Sequence, residues 1–231
     1  NYVDAVVERY EELFEDDLSR MRIGVDPMNG MAAHVLPDVL EGLGVEKDDL
    51  YFINSDLEEG FQGRDPNPAK DDLEELSKLV LEEDLDIGIA LDGDADRAVY
   101  VNEQGEKVGG DESLAILGEK YLETTQQEAG IAVSGNTATL VQDHINQQNG
   151  IVQYEPVGAV FPAKAALKNQ EPNIVLGGQP NGHYLDPGFT PYDSGTLFAT
   201  IIPGIIQQKN TKLTDLQEKL PQYMIHRENE K

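Results

Sequence analysis

Three aspartates at alternate positions form the most distinctive cluster of charged residues in the sequence. Asp92, Asp94 and Asp96 directly follow the apolar run 87–91, and Arg97 comes next. In extended backbone, side chains two residues apart lie on one face, so the three carboxylates converge where a buried strand ends in a loop. Clustered carboxylates raise one another's pKa unless a cation lies among them, and hard divalent metals bind such oxygen ligands. The spacing predicts a divalent metal site, with a solvated acidic loop as the alternative.

An EF-hand calcium loop is a second metal-binding interpretation of the same stretch. Its ligand positions 1, 3 and 5 match the three aspartates, and Glu103 falls at position 12. Arg97, however, occupies position 6, where the sharp turn of an EF-hand needs glycine, and the predicted flanks are strands rather than helices. The pattern therefore favours a metal-binding loop between two strands.

The overall charge of the chain is strongly negative and argues against several classes of partner. Among 231 residues, 44 Asp and Glu stand against 17 Lys and Arg, which gives a formal net charge of −27. This dispersed acidic excess argues against binding to nucleic acid or to an anionic membrane, which basic patches mediate. It is typical of a protein from a high-salt cytoplasm, where ions screen self-repulsion, so we expect a halophilic source. Apolar residues are periodic nearly throughout, which argues against disorder.

Cysteine is absent, and no stretch resembles a membrane-targeting segment. Without cysteine there is no disulfide framework, thiol nucleophile or zinc–thiolate site. No apolar run approaches the length of a bilayer span, and the N-terminus does not resemble a signal peptide, so we expect a cytoplasmic protein. The chain has no initiating Met and begins inside an amphipathic helix, which indicates a fragment of a longer protein.

One order of elements occurs twice along the chain: helix, strand, helix, strand, helix, strand, loop, strand. The boundary between the two copies falls within 105–111. Alternating strands and helices favour layered α/β folds, so we predict two similar consecutive α/β sandwich domains with mixed sheets, over residues 1–108 and 109–231. Ligands of such sheets gather at the carboxyl ends of the strands. Two loops lie at these ends, the acidic loop at 92–97 and a glycine-rich loop at 177–183.

Hydrophobic periodicity locates the individual elements. Helices are predicted near 3–14, 32–43, 71–83, 114–121, 140–145, 160–168, 197–206 and 213–220, and strands near 21–26, 50–53, 87–91, 98–101, 130–133, 151–154, 174–176 and 223–226. Pro203 lies inside the most apolar helix and is expected to kink or divide it.

The acidic loop resembles that of a known family, the α-D-phosphohexomutases (phosphoglucomutase/phosphomannomutase). Their metal loop reads DGDADR, and residues 92–97 match it at every position. Supporting matches lie elsewhere in the chain: Val25-Asp26 with Asn29-Gly30, Pro66-Asn67-Pro68, and Gly109-Gly110-Asp111. Members have four domains, and the resemblance, which covers nearly all of the chain, implies that 1–108 is domain 2 with the metal loop. Residues 109–231 then form domain 3 with the sugar-recognition loop, and the last few residues lead to a missing domain 4.

The resemblance implies an isomerase that transfers a phosphoryl group between the 1- and 6-positions of a hexose phosphate. In the family, a phosphoserine on the first domain donates to the sugar and is regenerated from a bisphosphorylated intermediate. Mg2+ is held by the three aspartates, here Asp92, Asp94 and Asp96, and by one phosphoserine oxygen, a ligand set that suits this ion. The resemblance implies that Arg97 contacts the phosphoryl group near the metal. A structural salt bridge to the neighbouring acids is the alternative.

The family's sugar-recognition loop reads roughly Gly-Glu-x-Ser-Gly-His, and the stretch GQPNGH occupies its place here. Gly178, Gly182 and His183 agree with this pattern. Gln179 replaces the glutamate and Asn181 the serine. Both side chains still donate and accept hydrogen bonds, so the resemblance implies a substrate-binding set at the positions Gly178, Gln179, Asn181 and His183. The lost charge leaves the preferred sugar open.

Two phosphate-handling motifs of the family are absent from the sequence. No serine precedes a histidine, as in the family's Ser-His-Asn-Pro phosphoserine loop, and no Arg- and Ser/Thr-rich phosphate loop of the fourth domain is present. We therefore expect domains 1 and 4 of the same chain as partners, and no mutase activity from these 231 residues alone. Two other functions remain as hypotheses: a non-catalytic metal-binding homologue with an altered sugar loop, and an unrelated Mg2+-dependent phosphatase with an aspartate nucleophile.

Overall fold

The two halves of the chain repeat one arrangement of helices and strands. In the computed structural model, which describes residues 1–57, 60–63, 65–125, 127–168 and 172–223, each half contains a four-stranded sheet. The first half consists of α1 (Tyr2–Leu13), β1 (Ile23–Asp26), α2 (Ala32–Gly42), β2 (Leu50–Phe52), α3 (Glu74–Glu82), β3 (Ile87–Leu91) and β4 (Ala98–Val101), with short 3-10 turns at Lys47–Asp49 and Phe61–Gly63. The second half consists of α4 (Gly110–Glu123), β5 (Ala129–Ser134), α5 (Thr139–Gln147), β6 (Ile151–Glu155), α6 (Val160–Ala166), β7 (Asn173–Gly178), β8 (Tyr184–Leu185), α7 (Gly195–Lys209) and α8 (Leu213–Glu218).

Both sheets have the same topology. Their strand orders are β2-β1-β3-β4 and β6-β5-β7-β8. The first three strands of each order are parallel, and the last strand runs antiparallel to its neighbour. The central strands β1, β3 and β5 are buried at every residue, as expected for mostly parallel sheets with helices on both faces. The predicted fold class, two similar consecutive α/β domains with mixed sheets, is confirmed.

Helix α7 lies between the two halves and is apolar around its whole circumference. Every residue over 195–207 is buried. The helix packs against α1, α2, β3 and β4 of the first half and against α4 of the second, which explains why it has no polar face. It runs unbroken through Pro203, so the division considered from the sequence does not occur; packing on all sides offsets the lost backbone hydrogen bond. Neither α7 nor any other helix in the described part of the chain combines the length and apolarity that a bilayer crossing requires.

Helix α3 begins at Glu74 rather than at Asp71, because a turn precedes it. The Asp71 carboxylate accepts a hydrogen bond from the backbone N–H of Leu73 at 2.8 Å. Leu73 itself has a left-handed φ of +60°, which a right-handed helix cannot contain. The strand predicted over 223–226 lies, except for Tyr223, outside the described residues.

Glu119 on α4 links three helices through close contacts with His144 and Lys209. Its carboxylate lies 2.7 Å from His144 Nε2 on α5 and 2.7 Å from Lys209 Nζ on α7. These contacts, with His144 first, lower the pKa of Glu119 from 4.5 to about 2. A carboxylate with a lowered folded-state pKa stabilises the fold above its ordinary pKa. That contribution is lost as the pH falls from about 4.5 to about 2.

We expect Glu119→Gln to lower the free energy of unfolding by about 2 kcal/mol at neutral pH and to flatten its pH dependence between about pH 4.5 and 2. Urea unfolding at a series of pH values measures both effects. Glu123→Gln is the matched control, because Glu123 pairs with the same Lys209 at the surface and contributes about 0.5 kcal/mol or less. If the free energy of unfolding of Glu119→Gln fell at acid pH as steeply as that of wild type, the prediction would be contradicted.

Candidate functional site

The acidic loop lies between β3 and β4 at the carboxyl end of β3. Asp92 is buried, Asp96 half-buried and Asp94 exposed. One carboxylate oxygen from each of the three lies within 4.8 Å of the others. Asp92 Oδ1 also accepts the backbone N–H of Arg97 at 3.0 Å, which closes the loop on itself. The structure therefore brings together the three aspartates that the sequence predicts as metal ligands.

The turn after β1 supports the acidic loop from the neighbouring strand. The backbone N–H of Met31 donates to the carbonyl oxygen of Gly93 at 3.0 Å. Glycine is required at position 30, because a Cβ there would lie 2.7 Å from the Cα of Gly93. Pro66 packs against the same Gly93, since a Cβ added to that glycine would lie 3.3 Å from Pro66 Cγ. Two of the motifs identified in the sequence, Asn29-Gly30 and the Pro66 segment, thus position the acidic loop.

Burial and neighbouring polar groups perturb the carboxyl groups of this loop. Burial, followed by the neighbouring Asp96, raises the pKa of Asp92 to about 7. The pKa of Asp96 is lowered, first by the ring of His183 and then by Asp92 and the charge of Arg97. Adjacent carboxyl groups of this kind are stabilised in their ionised forms when a cation binds between them.

The donor set of the acidic loop fits a hard divalent cation. Asp96 Oδ1 is buried and accepts no well-aligned hydrogen bond within the described residues; His183 Nε2 lies 3.3 Å from it and Arg97 Nε 3.7 Å. A buried carboxylate oxygen without a donor is costly unless a cation binds it. Three carboxylates at one strand end also leave coordination positions open, which suits Mg2+ because this ion keeps waters or phosphate oxygens in its shell.

Arg97 contacts both the acidic loop and the second half of the molecule. Its Nε lies 3.1 Å from Asp92 Oδ2 and donates to His183 Nε2 at 3.0 Å. Within the part of the chain that the structure describes, Nη1 and Nη2 make no hydrogen bond. The guanidinium therefore forms the structural salt bridge considered as the alternative and still keeps two nitrogens that can bind an anion.

The glycine-rich loop of the second half lies against the acidic loop. The backbone of His183 pairs with that of Arg97 in an antiparallel bridge, and Ala98 N–H donates to the carbonyl of Gly182 at 3.1 Å. His183 Nδ1 lies 3.0 Å from Asn181 Oδ1. His183 Nε2 faces Arg97 Nε and also lies 3.3 Å from Asp96 Oδ1. The two predicted loops therefore form one composite site.

Gly178 and Gln179 lie at the start of the same loop. Gly178 is the last residue of β7 and pairs with Tyr184 of β8. Gln179 is buried, and its backbone N–H donates to the carbonyl of His183 at 2.9 Å. Among the residues described, its side-chain amide has no hydrogen-bond partner. An amide without a protein partner is available to the hydroxyl groups of a ligand.

Asp193 is a further charged residue at this cluster that the sequence does not single out. Burial raises its pKa to about 6; electrostatic interactions with His183 and Arg97 oppose this effect, and the negative charge of Asp96 adds to it. In the sequence, Asp193-Ser194-Gly195 before an apolar run is typical of a helix start, and Ser194 is the N-cap of α7. The sequence alone therefore does not distinguish an aspartate at the functional site from an aspartate at a helix start.

Gly110, at the start of α4, lies directly against the glycine-rich loop. A Cβ there would overlap the carbonyl oxygen of Pro180. We expect Gly110→Ala to displace this loop and to lower the free energy of unfolding by about 1–3 kcal/mol. Gly109→Ala is the matched control, because the nearest atoms to its Cβ would be those of the flexible Glu112 side chain. Thermal unfolding of both variants measures the difference, and equal stability would contradict the prediction.

Family models match both halves of the chain. The model described as phosphoglucomutase/phosphomannomutase, alpha/beta/alpha domain II, matches residues 1–105, and the corresponding domain III model matches 109–224. A curated relative, "Probable phosphoglucosamine mutase" of Methanopyrus kandleri, is 33% identical over 222 residues, which are 96% of this chain and 48% of that protein. The chain spans about half the length of the curated relatives it matches.

Solved structures share the fold. A phosphoglucomutase/phosphomannomutase family protein from Burkholderia thailandensis has a TM-score of 0.82 at 22% identity, over 96% of this chain and 46% of that one. N-acetylphosphoglucosamine mutase from Aspergillus fumigatus, in complex with GlcNAc-6P and magnesium, has a TM-score of 0.71 at 12% identity, over 96% and 53% of the two chains. Since the two family models together cover nearly all of its residues, this chain belongs to the phosphoglucomutase/phosphomannomutase family, of which it contains domains II and III.

Proposed function

We propose that this chain carries the metal loop and the sugar-recognition loop of a phosphohexomutase that interconverts hexose 1-phosphate and hexose 6-phosphate. Asp92, Asp94 and Asp96 bind Mg2+, and the phosphoryl group comes from a phosphoserine in a domain outside these residues. The observation that carries the proposal is the contact between Arg97 and His183, which joins the acidic loop of one half to the sugar loop of the other.

The residues of the composite site have separate roles in this proposal. Arg97 binds the transferring phosphoryl group through Nη1 and Nη2, because its Nε is already held by Asp92 and His183. Bound Mg2+ supplies neutralisation of the negative charge on that group. Gln179 and Asn181 bind sugar hydroxyls through neutral amides, and Gly178 sets the point at which the loop leaves β7.

The competing functions are less well supported. An EF-hand is excluded because the acidic loop connects β3 with β4 rather than two helices. The comparisons do not favour the non-catalytic homologue, since the matching relatives and structures are named mutases. Membership of the phosphoglucomutase/phosphomannomutase family argues against an unrelated phosphatase with an aspartate nucleophile.

Activity of the complete gene product tests the proposal. We expect a Mg2+-dependent conversion of at least one of the 1-phosphates of glucose, mannose and glucosamine to its 6-phosphate, measured at constant high salt. These 231 residues alone are expected to give no turnover, because they contain neither a Ser-His-Asn-Pro loop nor the Arg- and Ser/Thr-rich phosphate loop. Turnover by the isolated chain, or none by the complete product with all three sugars, would contradict the proposal.

A further inference from the structure

Helix α1 of the first half contacts a loop of the second half through a buried ion pair. Asp186, which follows β8, is only 2% exposed. It accepts two hydrogen bonds from Arg9, at 2.6 Å from Nε and 3.0 Å from Nη2. Tyr121 Oη donates to it at 2.9 Å, and the backbone N–H of Gly188 donates at 2.7 Å. Four hydrogen bonds thus satisfy this carboxylate, and among the described residues only the two from Arg9 of α1 come from a charged group.

A second contact joins the same helix to the far end of this loop. Tyr2 Oη lies 2.9 Å from Ser194 Oγ, and the ring of Tyr2 lies 6.2 Å from that of Phe189. Ser194 is the N-cap of α7, where its Oγ accepts the backbone N–H of Leu197. Positions 2 and 9 are about two helical turns apart and therefore lie on one face of α1. One face of the helix thus contacts both ends of the segment 186–194.

The segment 186–194, which we name the β8–α7 loop, carries Asp193 to the composite site. Gly195, two residues further on, lies against the acidic loop, since a Cβ there would be 2.4 Å from the carbonyl oxygen of Arg97. Asp193 also interacts electrostatically with His183, Asp96 and Arg97. We propose that α1 positions the β8–α7 loop, with Arg9 acting through Asp186 as a positioning residue for Asp193. This inference depends on the proposed function only where it gives the composite site a chemical role.

The contact between Arg9 and Asp186 differs from a surface ion pair because the carboxylate is buried. Removal of Arg9 leaves a buried carboxylate with neutral donors alone, which destabilises the folded state and weakens the turn that begins at Asp186. Arg9 also pairs with Glu12, but Glu12 is 65% exposed, and an ion pair with so exposed a partner contributes little. Glu12→Gln therefore tests the surface partner of Arg9 while the bond to Asp186 stays intact.

Amide hydrogen exchange in the 231-residue chain tests the inference. The reporters are the backbone amides of Phe189 and Thr190, which donate to the carbonyl of Asp186, and that of Ser194, which donates to the carbonyl of Tyr184. We expect Arg9→Met to accelerate exchange at all three amides by about 10-fold or more. Glu12→Gln is expected to leave exchange within about twofold of wild type.

A double variant separates positioning from general stability. Arg9→Met with Asp186→Asn removes the unpaired buried charge, so we expect its melting temperature to return towards that of wild type. Exchange at the three reporter amides is expected to stay fast, because the link to α1 is still missing. Exchange within about twofold of wild type in the double variant would overturn the inference, and so would fast exchange in Glu12→Gln. Since no metal or sugar enters this measurement, failure of the proposed function would show separately, in the Mg2+ affinity of the wild-type chain.

Discussion

Replacing Asp94 with asparagine is expected to weaken Mg2+ binding by this chain by about 100-fold or more. Asp94 is the exposed member of the trio, so its replacement removes one charged ligand without leaving a cavity in the core. Asp92 and Asp96 keep their contacts with Arg97 and His183 in this variant. Isothermal titration calorimetry of wild type and Asp94→Asn, at one constant high salt concentration, measures the change in affinity.

Asp48→Asn is the matched control for the Asp94 variant. Asp48 lies in the short 3-10 turn at Lys47–Asp49, is exposed, and is remote in sequence from the acidic loop. Asp48→Asn changes the net charge by the same amount as Asp94→Asn. It therefore controls for the general attraction of a chain of charge −27 for divalent cations. Equal Mg2+ affinities for Asp94→Asn and Asp48→Asn would contradict a specific site.

Loss of Arg97 is expected to have the largest effect on catalysis. In the complete gene product, we expect Arg97→Gln to lower kcat/KM by about 1,000-fold, because the guanidinium stabilises charge on the transferring phosphoryl group. Two of its nitrogens make no hydrogen bond within the described residues, which leaves them for this role. Steady-state kinetics with the preferred hexose 1-phosphate measures the loss.

The salt-bridge alternative for Arg97 predicts a different result. If Arg97 only neutralises Asp92, Arg97→Gln lowers the melting temperature but leaves kcat/KM of the folded enzyme within about threefold of wild type. Arg20→Gln is the control for loss of an arginine, since Arg20 is exposed and lies in the connection between α1 and β1. Measurement of melting temperature and kcat/KM on all three proteins separates the two roles.

Local sequence patterns predict the acidic loop and the element order well. The three aspartates after the apolar run 87–91 occupy alternate positions within a few consecutive residues. Strand geometry alone therefore places their side chains together. Most helices and strands follow from apolar periodicity in the same way. The start of α3 is an exception, because one side-chain bond from Asp71 to the backbone of Leu73 replaces the first helical turn that periodicity suggests.

Contacts between the two halves are what the sequence cannot predict. Arg97 and His183 are 86 positions apart, and only the docking of two sheets brings their backbones into a bridge. The same docking surrounds α7 on all sides and so keeps the helix unbroken at Pro203, against its local preference. Asp193 has the residue type of a helix cap, and its position beside the site depends on the route of the β8–α7 loop. Each of these features is tertiary and has no local signature.

An Mn2+-soaked crystal of this chain, with data collected at the manganese absorption edge, tests the central claim most directly. The account predicts one anomalous peak within about 2.0–2.3 Å of a carboxylate oxygen from each of Asp92, Asp94 and Asp96. A fully soaked crystal without a peak among these three side chains, or with its strongest peak on other acidic residues, would contradict the account.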